Sequence, residues 1–156
     1  MYDYETSLGI DIDVYKTANN VRRFLENDFK LFLWRGGLHK ADLSSPSFDG
    51  TGSSGAVGNG QEKKIMKIFD YQAKALAIYQ AIEQCEHNEN LGVYSRDILH
   101  GLYVLDLTDV QTMEKLLLAE ATYYRKKRLA LCEFADRVQV TAYKLDTDIP
   151  DLRYWR

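Results

Sequence analysis

Residues 107–138, LTDVQTMEKLLLAEATYYRKKRLALCEFADRV, constrain this chain more than any other stretch. Thr108 or Asp109 is placed to cap a helix over 110–118, with Val110, Met113, Leu116 and Leu117 spaced to face inward. Ala119 and Glu120 fill a tight turn. A longer helix then runs from Ala121 to about Val138, with Tyr124, Leu131, Phe134, Ala135 and Val138 on its core side. Arg125, Lys126, Lys127 and Arg128 fall near its start. A short capped helix, a turn and a longer basic helix together have the sequence form of a helix-turn-helix, whose second helix lies in a DNA major groove.

The rest of the chain also keeps helical periods. Ala18, Val21, Leu25, Phe29 and Phe32 recur every three or four residues and predict a helix over 17–35, capped by Thr17 and stopped by Gly36-Gly37. Phe24, Leu31, Leu33 and Trp34 widen its apolar face enough to require a bundle or a second copy of the chain. Ile65, Ile68, Phe69, Gln72, Leu76, Tyr79 and Ile82 predict a helix over 61–86, ended by Asn88, Asn90 and Gly92. Ser95 caps a further helix over 96–104, with Ile98, Leu99, Leu102 and Tyr103 inward. No segment alternates apolar and polar residues convincingly, so the expected fold is all-α: a helical bundle ending in a helix-turn-helix. Between the first two long helices, SSPSFDGTGSSGAVGNG has linker composition. The expected organisation is an N-terminal arm and helix (1–37), a flexible Gly/Ser-rich linker (38–60), a helical domain (61–138) and a tail (139–156). The arm reads as loose chain or a docking strand. The tail is read as alternating Val140, Ala142 and Leu145, either free or packed back on the domain.

The net charge is −3, so the chain is not a polycation, but the charge is uneven. By count, residues 1–14 carry four acidic side chains and no basic ones, 16–40 carry six basic and two acidic, and 119–140 carry five basic and three acidic. A local basic face attracts phosphate even on an acidic molecule. At about 3.6 residues per turn, the face of the last helix opposite the Tyr124, Leu131 and Phe134 stripe holds Thr122, Arg125, Lys126 and Leu129. Arg125 can donate twice to a guanine edge, Lys126 can reach guanine or phosphate, and Leu129 can touch a thymine methyl or a partner protein. Tyr123 and Arg128 flank that face and suit phosphate contacts. Lys127 falls nearer the core side and snorkels outward. A run of four basic residues is also what an ordinary solvated helix face looks like; the preceding capped helix and turn favour the DNA reading.

TYYRKKRLALCEFA resembles the C-terminal signature of the ArpU/RinA-type phage late transcriptional regulators, whose last helix-turn-helix is similar to region 4 of sigma factors. NVRRFLENDFKLFLW is similar to the family's opening helix and SSPSFDG to its Ser-Pro-Ser segment. The long helix running into SRDILHGLYV is similar to the approach to its DNA-binding module. The resemblance spans roughly residues 20–135. It implies an oligomeric phage or prophage protein that activates late genes in a bacterial cytoplasm, with the recognition role on residues 122–128. Family members commonly carry Ser where this chain has Ala119; that loses a capping hydroxyl worth ~1 kcal/mol.

Other chemistries find little footing. Cys85-Glu86-His87 offers two metal ligands, with only His39 and His100 as further histidines, so no metal site is expected. The acidic groups Asp11 and Asp13, and Asp146, Asp148 and Asp151, have neither a nucleophile nor a phosphate loop beside them. No G-x-x-x-x-G-K-[ST] or G-x-G-x-x-G occurs. The expectation is therefore no enzyme, no catalytic residues and no cofactor. Cys85 and Cys132 lie in helical patterns and read as small buried hydrophobes, reduced in a cytoplasm. No apolar run approaches the ~20 residues of a membrane span. The expected partners are double-stranded DNA, a second copy of the chain (a dimer) and host RNA polymerase. Two rival readings come from other classes. One is a phage effector whose repurposed helix-turn-helix fold binds a host polymerase or defence protein. The other is a small terminase subunit, which would form rings of many copies.

Overall fold

The computed structural model describes residues 3–46, 48 and 59–156. It is all-α: the described residues contain helices and no strands, only two isolated β-bridges, Ile12 with Trp155 and Asn88 with Val93. In order the helices are α1 (Tyr4–Leu8), α2 (Val14–Arg23), α3 (Phe29–Arg35), α4 (Lys40–Leu43), α5 (Asn59–Glu83), α6 (Ser95–Leu99), α7 (Asp109–Leu116) and α8 (Glu120–Lys144). A π turn at Phe24–Asp28 joins α2 to α3, so the helix expected over 17–35 is one helix with a single widened turn. A second π turn, His100–Val104, extends α6, and a 3-10 turn, Glu89–Leu91, follows α5.

The first long helix starts earlier than the periodicity indicated. Its cap is Asp13, whose carboxylate accepts the Lys16 amide at 3.0 Å. Thr17 is instead buried, and its hydroxyl accepts the Tyr154 amide at 2.9 Å. The helix ends as Gly36-Gly37 foretold. Gly37 has φ +67, and a Cβ on Gly36 would meet the backbone nitrogen of Gln72 at 3.2 Å, so α3 can approach α5 that closely only with glycine there. Of the expected linker, 40–43 is helical and Leu43 is buried; residues 47 and 49–58 lie outside the described residues.

α8 is the axle of the bundle. α1, α2, α5 and α6 all pack against it. Residues 130–135 are buried one after another, which happens only when a helix is enclosed on every side. Phe134 at its centre is fully buried against Phe24, ring centroids 6.4 Å apart. The enclosure reaches a carboxylate: Glu133 is buried and accepts from the Glu86 amide at 2.9 Å, Arg137 Nε at 2.6 Å and the Tyr4 hydroxyl. The charge is thus fully partnered, as a buried ion must be.

α8 runs to Lys144, so Val140 and Ala142 belong to a helix and not to an alternating tail. The remaining chain folds back. Ile149 and Leu152 enter the same apolar cluster as Ile12, Val21, Leu76 and Phe134. The backbones of Asp13 and Tyr154, and of Arg156 and Asp11, bond at 2.8 and 2.9 Å, holding the tail along the start of α2. Cys85 and Cys132 are buried and unpaired. Burial pushes the Cys132 thiol up to about 12, so both behave as the small apolar groups expected of them. Among the described residues no helix is long and apolar enough to cross a membrane, and no cluster of His, Cys, Asp and Glu is arranged to hold a metal.

Candidate nucleic-acid interface

The junction of α7 and α8 is built from local signals. Thr108 caps α7: its hydroxyl accepts the Gln111 amide at 3.1 Å, and the Gln111 side chain accepts the Thr108 amide at 2.9 Å, a complete capping box. α7 stops in a left-handed residue, Leu117 at φ 57, with the amides of Leu117 and Leu118 bonded back to Glu114 and Met113. That closes the helix C-terminus by the two-bond pattern normally made with glycine. Three residues, 117–119, then lead into α8. Ala119 caps α8 with no side-chain bond.

α7 presents a different face to the core from the expected one. Thr112 is its buried residue, packed where a Cβ on Gly101 would come within 3.3 Å of its hydroxyl. Val110 is exposed, and Leu117 is 90 % exposed because the left-handed turn throws it outward.

α7 and α8 are pinned together at one carboxylate. Asp109 Oδ1 accepts from the Tyr123 hydroxyl at 2.7 Å and from Lys127 Nζ at 2.9 Å. Burial raises the Asp109 pKa, but these two donors outweigh it, and the net value lies below the ordinary carboxylate range. A carboxylate with a lowered native pKa stabilises the fold above its unfolded value, about 3.9, and loses that contribution as pH falls through the native value. Asp109→Asn is therefore expected to show a smaller drop in unfolding free energy between about pH 5 and about pH 2 than the unsubstituted chain, measured by urea titration. Equal drops would contradict this role for Asp109.

The six residues expected to meet DNA are placed unequally. Arg125 stands on the outer face, its side chain 48 % exposed, and its guanidinium pairs with Glu5 of α1. Lys126 turns toward the segment after α5: its ammonium donates to the Gly92 carbonyl and lies 5.9 Å from the centroid of the Tyr94 ring. Arg128 lies over the Tyr15 ring, 4.3 Å from its centroid. Thr122 is half-buried in the first turn of α8, and Leu129 lines a cavity of about 470 Å³ between α1, α8 and the 91–95 segment. Tyr123 is the clear correction. It is fully buried, with its ring edge-on to Tyr124 at 5.2 Å, and has no surface to offer a phosphate. Tyr124, expected in the core, is the exposed member of the pair at 39 %. Lys127 does not snorkel outward; its side chain is 14 % exposed and tied to Asp109.

One contributor to this surface, α1, is not legible as a helix in the pattern of apolar residues. Its signal was present in Asp3, whose carboxylate accepts both the Glu5 amide and the Thr6 hydroxyl and so starts a helix. Tyr4 of that helix also reaches the Ser95 hydroxyl; Ser95 is the first helical residue of α6, and the cap position belongs to Tyr94. No protein-family model, curated protein or solved structure matches the chain.

Proposed function

We propose that this chain is a sequence-specific double-stranded-DNA-binding regulator of phage or prophage transcription, an activator of late genes. α7, the 117–119 turn and the first turns of α8 form its helix-turn-helix. The observation that carries this reading is the pinning of α7, with its complete capping box, to α8 across a three-residue turn by Asp109, Tyr123 and Lys127, with the Arg125 side chain half exposed on the outer face. That places a bidentate donor on a rigid helix, the arrangement that reads a guanine edge in the major groove. Thr122 adds a first-turn polar contact, and Arg128 with Tyr124 faces the backbone phosphates. Lys126 and Leu129 form the border of the interface toward the 91–95 segment. The regulator works in the bacterial cytoplasm as a dimer on two half-sites, touches host RNA polymerase, and carries out no catalysis.

Duplex binding in graded salt tests the reading. With about four phosphate contacts, affinity is expected to fall roughly a hundredfold between about 50 and about 200 mM salt, and a specific duplex is expected to outlast a random one. Equal binding of both duplexes at moderate salt would overturn it. The exposed Val110 and Leu117 side chains favour a second reading, an effector that binds a host protein through the same two helices. DNA-independent recovery of one host protein, lost on Leu117→Asp, would favour that reading.

A further inference from the structure

The outer face of α8 is not bare. α1 lies against it, and the Glu5 carboxylate occupies the Arg125 guanidinium that the DNA-binding reading assigns to a guanine. Its neighbours Asp3 and Tyr4, with Lys126 and Leu129, line the cavity beside that pair. A carboxylate therefore sits where an anionic or electron-rich group of DNA has to sit.

The hold of α1 is thin. It has five residues, and Leu8 is its one buried side chain. The Glu5–Arg125 pair is about half exposed on both sides, 46 % and 48 %, so solvent weakens it. The remaining anchor is the Tyr4 hydroxyl on Glu133 and Ser95. When that phenol leaves, Glu133 keeps the Glu86 amide and Arg137, so release leaves no buried charge unpartnered. The chain beyond α1 supplies a pivot. Gly9 ends the helix, Asp11 has φ 62, and Ile12 is already buried and bridged to Trp155. Asp11 is held by the Arg156 amide, so the segment before it can swing at the cost of one buried side chain, Leu8, while the tail and the start of α2 stay in place.

We infer that α1 is an acidic strap that holds Arg125 in place of DNA and leaves it when DNA binds. This rests on the DNA-binding reading of α7 and α8. The strap sets a threshold: duplexes that give Arg125 a better acceptor than Glu5 displace it, and non-specific duplexes do not.

The test is a double-mutant cycle read by fluorescence anisotropy on the full chain and a bound duplex. Glu5→Gln is expected to tighten binding about two- to fivefold. In an Arg125→Ala background the same change is expected to have no effect, because the contact it relieves is gone. Unchanged affinity of Glu5→Gln, or an equal gain in the Arg125→Ala background, overturns the strap. Hydrogen exchange gives an independent readout: protection of the Ser7 amide, bonded to Asp3 at 2.9 Å, is expected to fall when duplex saturates the protein. Unchanged protection with DNA bound overturns the strap and leaves the DNA-binding reading standing. Failure of every variant to bind any duplex overturns both.

Discussion

Phe134→Ala is expected to lower the unfolding free energy by about 3–5 kcal/mol. Phe134 is fully buried near the middle of α8, the helix against which α1, α2, α5 and α6 pack, and its ring lies 6.4 Å from that of Phe24. Truncation removes the transfer energy of a benzyl group from the core cluster and leaves a cavity that close-packed neighbours fill only in part. A domain of this kind is stable by only about 5–15 kcal/mol in total. The variant is therefore expected to melt roughly 6–20 °C below the unsubstituted chain. Tyr143, on the same helix but 86 % exposed, is the control: its alanine variant is expected to stay within about 0.5 kcal/mol. Urea unfolding of both checks this, and a cost below about 1 kcal/mol for Phe134→Ala would mean that α8 is not the axle of the bundle.

Arg125→Ala is expected to cost about 1–3 kcal/mol at one base position and to relax the preference there. The effect is on recognition and not on folding, because the Arg125 side chain is half exposed and pairs with the exposed Glu5. Arg128→Ala is expected to act differently. Its guanidinium lies over Tyr15, at the flank of the proposed interface, so its loss is expected to weaken binding to all duplexes alike and to lower the salt slope by about one. Affinities for a panel of single-base variants of the bound site separate the two. A uniform loss for Arg125→Ala across the panel would remove it from the base-reading role.

The parts of the fold legible in the sequence are those fixed by local chemistry. The Thr108 cap, the glycine stop at 36–37 and the long period of α5 all come from interactions within a few residues, and all appear where the sequence places them, give or take a turn. The failures have one cause. Periodicity identifies a buried face only when the other face is wet, and α8 is enclosed around its whole circumference through 130–135. Its apolar pattern therefore carries no phase at the N-terminal end, and the periodicity puts Tyr124 inward where the fold buries Tyr123. Distant contacts decide the matter: Tyr123 is inward because Asp109 waits for its hydroxyl. Thr17 and Ser95 lie inside their helices, because α2 starts at the Asp13 cap and α6 after Tyr94, and their hydroxyls bond instead to Tyr154 and Tyr4, far along the chain. The docking of the tail beside Ile12 and of α1 beside Arg125 likewise depends on contacts more than a hundred residues apart, which no local pattern encodes.

Selection of bound duplexes from a random pool, with the mass of the protein measured in the same buffer, tests whether the α7–α8 junction reads a DNA sequence. One enriched motif is expected, containing a guanine read by Arg125 and bound by a dimer, with no enrichment of that position for Arg125→Ala. A pool that emerges unenriched, with all duplexes bound equally, would contradict it.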